Sequence, residues 1–182
     1  MGRTRLATVW LGGCSGCHMS FLDLDEVLMD LAPLLEVVFS PLVDAKEYPP
    51  DVDVCLIEGA VCNTEHVELL HQIRQRTKTV IAFGDCAVTG NVPAIRNQLG
   101  PGNRDNVLQC AYVEAAQLHA GLPETGAIVP ALLERVRAVH ELIPVDYFLP
   151  GCPPSASRIK SFLSQLLQGQ KPVLVGEDLK FG

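Results

Sequence analysis

Residues 6–17, Leu6-Ala7-Thr8-Val9-Trp10-Leu11-Gly12-Gly13-Cys14-Ser15-Gly16-Cys17, carry the pattern that organises the chain: a short apolar run, then glycines, then cysteine. The pattern returns twice. Residues 79–83 run into Gly84-Asp85-Cys86, and residues 145–149 run into Pro150-Gly151-Cys152-Pro153-Pro154. Each apolar run reads as a buried strand. Strands alternating with helical periodicity predict a parallel sheet covered by helices on both faces. In an open sheet of that kind the loops after successive strands gather along one edge, at the carboxyl ends of the strands. Cys14, Cys17, Cys86 and Cys152 are therefore expected to converge. Four soft thiolates in one place make a tetrahedral sulfur site, for which an iron–sulfur cluster and a structural zinc are the two candidates.

The spacing favours the cluster. Four-cysteine zinc sites more often pair two local Cys-x-x-Cys knuckles, whereas here one such pair is joined by two single cysteines from distant loops. Gly12, Gly13 and Gly16 let backbone N–H groups approach the sulfurs, and clusters use such N–H···S bonds to tune their potential. The two prolines after Cys152 hold its loop in a rigid shape. Three cysteines remain. Cys55 lies in a strand pattern and Cys110 in a helical one, so both are expected in the core. Cys62 follows a strand end near the cysteine edge and is read as a non-ligand.

Between the motifs, residues 20–31 read as a helix capped by Ser20, and residues 35–39 and 52–58 as strands. Residues 64–76 read as a helix capped by Thr64, with Val67, Leu70 and Ile73 on one face. Residues 107–119 and 130–139 look helical, and residues 121–126 look like loop. Residues 155–167 read as an amphipathic helix capped by Ser155, and the tail after Gly169 as extended and packed. No repeat or linker interrupts the pattern, so residues 1–182 are expected to form one domain. Glu58 ends a strand whose following loop should face the Cys-Ser-Gly-Cys loop. It is a candidate proton acceptor or accessory iron ligand, or else a carboxylate that only accepts hydrogen bonds from loop N–H groups. His18 is read as solvated or buried against a partner rather than as a ligand, and Asp85 as bracing its own turn.

Composition narrows the partners. Only 19% of residues are charged while 48% are apolar, and the mean hydropathy of +0.22 is high for a soluble domain. No apolar run is long enough for a transmembrane segment, so the excess points to an extensive face buried against another subunit, the alternative being a compact α/β core whose parallel strands are apolar on both faces. A net charge of −7 without a basic stripe argues against nucleic acid. The N-terminal residues lack a signal-peptide cleavage pattern and a twin-arginine pair. Seven cysteines then point to the reducing cytoplasm and to thiols that serve as ligands.

Together, the motifs at residues 10–17, Glu58-Gly59, Gly84-Asp85-Cys86 and residues 150–154 resemble the small subunit of nickel–iron hydrogenases, and the resemblance covers nearly the whole chain. It implies a flavodoxin-like fold. It also implies one [4Fe–4S] cluster on Cys14, Cys17, Cys86 and Cys152, lying nearest a nickel–iron centre held by a large subunit. No cysteine follows Cys152, unlike in members whose C-terminal extension holds further clusters. With residues 17–23, Cys17-His18-Met19-Ser20-Phe21-Leu22-Asp23, this is similar to the cytoplasmic, bidirectional NAD-reducing type. That type implies diaphorase partners carrying flavin and iron–sulfur centres. Coenzyme F420-reducing and sulfur-reducing types are the alternatives within the family, and a zinc-stabilised structural or assembly protein is the alternative outside it. Cys-Ser-Gly-Cys argues against the related subunit of respiratory complex I, whose first motif has adjacent cysteines.

Overall fold

The computed structural model describes residues 2–115, 120–124 and 129–179. Among them, five parallel strands form the central sheet: β1 (Thr4–Trp10), β2 (Leu35–Phe39), β3 (Val52–Glu58), β5 (Thr77–Phe83) and β7 (Tyr147–Leu149). Their spatial order is β2-β1-β3-β5-β7. Counted along the sheet strands alone this is the 2-1-3-4-5 order of the flavodoxin-like fold, with the switch point between β1 and β3. Alternate residues of each strand face opposite layers. On one face Ala7, Val9, Cys55, Ile57, Val80 and Ala82 pack against α3 (Thr64–Arg76) and α4 (Asp85–Thr89), through Leu70, Ile73 and Ala87. On the other, Leu6, Leu56, Ile81, Phe83 and Leu149 meet α1 (Gly16–Leu22), α2 (Glu26–Leu31) and α6 (Ala156–Leu167).

Register brings the strand ends into line. Trp10 pairs with Glu58, Glu58 with Phe83, and Phe83 with Leu149. The loops carrying the cysteines therefore all leave from a single row across the sheet.

Local patterns fail at identifiable places. Residues 20–31 form two helices rather than one, broken at residues 23–25, and Ser20 lies inside α1. Its hydroxyl donates to the Pro154 carbonyl at 2.5 Å instead of capping. The cap of α3 is Asn63, whose side chain accepts from the His66 N–H, and not Thr64. Ser155 does cap α6, accepting from the Arg158 N–H. The helix expected over residues 107–119 begins earlier, as α5 (Asn103–Gln109), and continues as a π-helical turn over Cys110–Glu114. Residues 116–119, and residues 125–126 of the expected loop, lie outside the described residues.

Residues 130–139 are the clearest reversal. They contain β6 (Leu132–Arg137), which pairs antiparallel with β4 (Val61–Asn63). The other edge of β6 is satisfied by side chains: the Asn97 amide donates to the Val136 carbonyl and accepts its N–H, both at 2.9 Å. Strand pairing of this kind overrides the helical spacing of Leu133 and Val136. The tail expected to be extended is so only in part: Gln165 exchanges two hydrogen bonds with Val173 and Leu174 packs on the α6 side of the sheet, but Gly176–Leu179 form a 3-10 helix.

One buried polar atom in β1 permits a stability test. The Thr8 hydroxyl is buried without a hydrogen-bond partner. Valine has nearly the same shape and no hydroxyl to desolvate. Thr8→Val should therefore raise stability by about 1 kcal/mol and Tm by roughly 2–4 °C in thermal unfolding. A fall of that size would show that the hydroxyl has a partner in solution.

Candidate metal centre

Cys14 sits on the loop from β1 into α1, Cys17 in the first turn of α1, Cys86 at the start of α4 after β5, and Cys152 on the turn between β7 and α6. The loops are tied to one another. Leu11 N–H donates to the Glu58 carbonyl at 2.8 Å, and Gly12 and Ala60 exchange backbone bonds of 2.9 and 2.7 Å. On the far side Gly84 N–H donates to the Leu149 carbonyl at 2.8 Å, and Asp85 N–H to the Gly151 carbonyl at 2.9 Å. The Asp85 carboxylate accepts the Gly151 N–H at 2.7 Å. Asp85 thus braces the neighbouring cysteine loop, which its sequence position did not reveal.

The sulfurs meet around one cavity. It measures about 400 Å³ and is lined by Cys14, Cys86 and Cys152 with Gly12, Val92 and Pro93. Cys17 is buried beside it. Burial, then Glu58, then the other three thiols all push the Cys17 thiol up. Burial, Cys152 and Cys14, then Glu58 push Cys86 up to about 11. Thiols this close resist ionising together unless a bound cation offsets their charge. Among the described residues no three His, Cys, Asp or Glu side chains converge tightly enough for a single metal ion. Gly16 N–H points at Cys14 and the Asn91 amide at Cys152, each at 3.4 Å, and the Val92 backbone bonds the Cys86 thiol.

Gly84 shows how tightly Cys17 is seated. Its φ is +83°, and a Cβ there would fall 2.2 Å from the Cys17 sulfur. Gly84→Ala should displace that sulfur and lower cluster occupancy by at least about tenfold, read as iron per protein. Full occupancy would mean that the loop absorbs the methyl group.

Glu58 lies at the centre of the row of strand ends and is almost fully buried. Its carboxylate accepts the Cys17 N–H at 3.3 Å and the His18 N–H at 2.9 Å, and bonds the His18 Nδ1. It therefore satisfies the first free N–H groups of α1, the task of a local capping side chain. His18 is buried within the chain, edge-on to Phe83. Its Nε2 has no partner and, with Thr8, lines a separate apolar cavity of about 490 Å³ between α1, α2 and the β1–β2 face. No cysteine lines that cavity.

The remaining cysteines divide. Cys55 is fully buried, as expected, whereas Cys110 is exposed and not in the core. Cys62 is half-buried behind Gly12, its thiol directed at the Ala60 carbonyl at 3.5 Å.

Fold and site together define a flavodoxin-like domain that gathers four loop thiols at its carboxyl edge. Residues 14–166 match the family model of the NADH ubiquinone oxidoreductase 20 kDa subunit. A crystal structure of an NAD+-reducing [NiFe] hydrogenase in the H2-reduced state contains a chain 40% identical, with a TM-score of 0.91 and full coverage of both chains. The NAD-reducing hydrogenase HoxS subunit delta of Cupriavidus necator is 36% identical, over 93% of this chain and 81% of that one. A subunit of the F420-non-reducing hydrogenase of Methanocaldococcus jannaschii is 37% identical over 93% of this chain. The chain spans only 58% of that relative's length. The chain belongs to this oxidoreductase family, as a small subunit of the [NiFe] hydrogenase type.

Proposed function

We propose that this chain is the electron-transfer subunit of a heteromeric, cytoplasmic [NiFe] hydrogenase. It would form one domain and hold one [4Fe–4S] cluster on Cys14, Cys17, Cys86 and Cys152. Electrons would pass through it between a nickel–iron centre on a large subunit and diaphorase subunits, carrying flavin and iron–sulfur centres, that reduce NAD. The observation that carries this reading is the cavity rimmed by thiols from three separate loops. A tetrahedral zinc would draw four sulfurs to about 2.3 Å from one point, and a cavity of this size beside the thiols supports the larger, polynuclear cluster. When bound, the cluster takes up and releases one electron at a time.

The chain's own residues do the rest. The four thiolates would bind the irons, and the bonds between the Asp85 and Gly151 loops keep the far ligands in place. Val92 and Pro93 line the cavity beside the thiols. Both oxygens of Glu58 are engaged by the α1 N–H groups, so its role in this reading is to hold the first loop. Ligating iron would require it to give up one of those bonds.

Trp10, Met19, Val92 and Phe148 are exposed near the cysteine edge, and an apolar patch there suits a partner subunit. Seven free thiols suit a reducing compartment. No helix among the described residues is long and apolar enough to cross a membrane. For the acceptor, full-length similarity to an NAD+-reducing hydrogenase chain supports NAD.

Purification of the complex without oxygen tests the proposal. A brown protein with broad visible absorption and iron and sulfide for a single cubane in this chain is expected, apart from the nickel–iron centre's own iron. Zinc in place of iron, or two cubanes assigned to this chain, would defeat it.

A further inference from the structure

The turn that follows α4 places a side chain against one of the cluster thiols. Gly90 takes a positive φ, and so does Asn91, at 35°. Non-glycine residues at positive φ are uncommon, and with ψ at −129° Asn91 lies outside the left-handed α region. Asn91 precedes a 3-10 helix over Val92–Leu99, a position where Asn usually turns its side chain back to cap the first N–H groups. It does not do so here. The turn closes without the Asn91 side chain: Asn91 N–H donates to the Thr89 hydroxyl at 3.3 Å, and the Asn91 carbonyl accepts from the Ala94 N–H at 3.0 Å. The amide is left over, and its Nδ2 lies 3.4 Å from the Cys152 sulfur. The Thr89 hydroxyl in turn donates to the Asp85 carbonyl at 2.9 Å. The turn is thus anchored to the loop of Cys86 while it reaches the loop of Cys152.

We infer that Asn91 sets the reduction potential of the cluster by donating its amide N–H to the Cys152 thiolate. This rests on the four-thiolate cluster proposed above. On reduction the cluster gains one electron and one negative charge, and part of that charge falls on the cysteine sulfurs. A donor aimed at sulfur stabilises the reduced form more than the oxidised one, which raises the potential. No bond to Asn91 forms or breaks, so it is a positioning and tuning residue, separate from the four ligands. Gly16 makes the equivalent bond to Cys14 from its backbone, whereas the Asn91 donor can be removed by substitution.

The test is an EPR-monitored redox titration of the intact complex, comparing wild type with Asn91→Gly and Asn91→Asp. Glycine tolerates the positive φ and removes the donor. Aspartate keeps the shape and the turn chemistry but cannot donate, and it adds negative charge. At a fixed potential the reduced-to-oxidised ratio should fall roughly three- to tenfold in Asn91→Gly, tenfold being 59 mV for one electron. It should fall further in Asn91→Asp. A purely structural role predicts a wild-type potential in Asn91→Gly with the cluster intact, and that result overturns the inference; the added charge lowers the potential in Asn91→Asp in either case. If a variant does not assemble, selective 15N labelling of asparagine amides in the wild-type complex serves instead. Pulsed EPR of the reduced cluster should then reveal a 15N coupling, and its absence overturns the inference. Wild-type protein without any cluster would instead overturn the proposed function.

Discussion

On the proposed function, Cys86→Ser and Cys152→Ser should each strip the cluster and cut hydrogen-dependent NAD reduction by about 100-fold. The scaffold explains the severity. Each sulfur follows directly on a segment pinned to the other loop, through Gly84 to Leu149 and through the mutual bonds of Asp85 and Gly151. A serine oxygen would occupy the same place, but it is a hard, weakly acidic donor where iron favours a soft thiolate. No spare thiol can step in. Cys55 is enclosed by the α3 side of the sheet, Cys62 is held behind Gly12, and Cys110 is exposed on the turn that continues α5. Cys110→Ser should therefore leave cluster and turnover nearly intact. Iron and sulfide analysis, EPR of the reduced complex and turnover assays give the readout. An intact cluster after loss of both Cys86 and Cys152 would defeat the ligand assignment.

Glu58→Ala is expected to destabilise the protein by about 3–5 kcal/mol, the cost of removing one member of a buried, hydrogen-bonded polar pair. The substitution leaves the N–H groups of Cys17 and His18 and the His18 ring without their acceptor, in a place where water has little access. α1 has seven residues and no side-chain cap of its own, so the first cysteine loop should loosen along with its helix. Thermal unfolding should show the loss, and iron content should fall with it. Glu58→Gln keeps the shape and one acceptor oxygen, and should recover more than half of the stability. Unchanged potential and turnover in Glu58→Gln would confine Glu58 to this bracing role and end the proton-acceptor and iron-ligand readings. A fully stable Glu58→Ala would show that the carboxylate does not hold α1.

The contrast between Glu58 and the cysteines marks how far local pattern carries. The convergence of the four thiols was legible because apolar runs ending in cysteine imply strands, and parallel strands send their following loops to one edge. The helix over residues 64–76, the strands over residues 35–39 and 52–58 and the Ser155 cap were legible for a similar reason: their signals are carried within one turn or one pleat of the chain. The cap of α1 was not, because its acceptor lies 40 residues away, and residues 20–31 by themselves suggest one continuous helix. The Asp85–Gly151 brace spans 66 residues and leaves no trace in either motif alone.

By itself, the sequence determined the layered α/β class and the edge where the thiols meet. These follow from hydrophobic period and residue type, both local quantities. Tertiary structure alone decided the strand order and the alignment of Trp10, Glu58, Phe83 and Leu149. It made a strand of residues 132–137, through pairing with β4 and the Asn97 amide. It also left Cys110 exposed, turned Asn91 toward sulfur and joined Glu58 to the first cysteine loop. Each of those outcomes depends on a hydrogen-bond or packing partner distant in the chain, and only the folded chain supplies it.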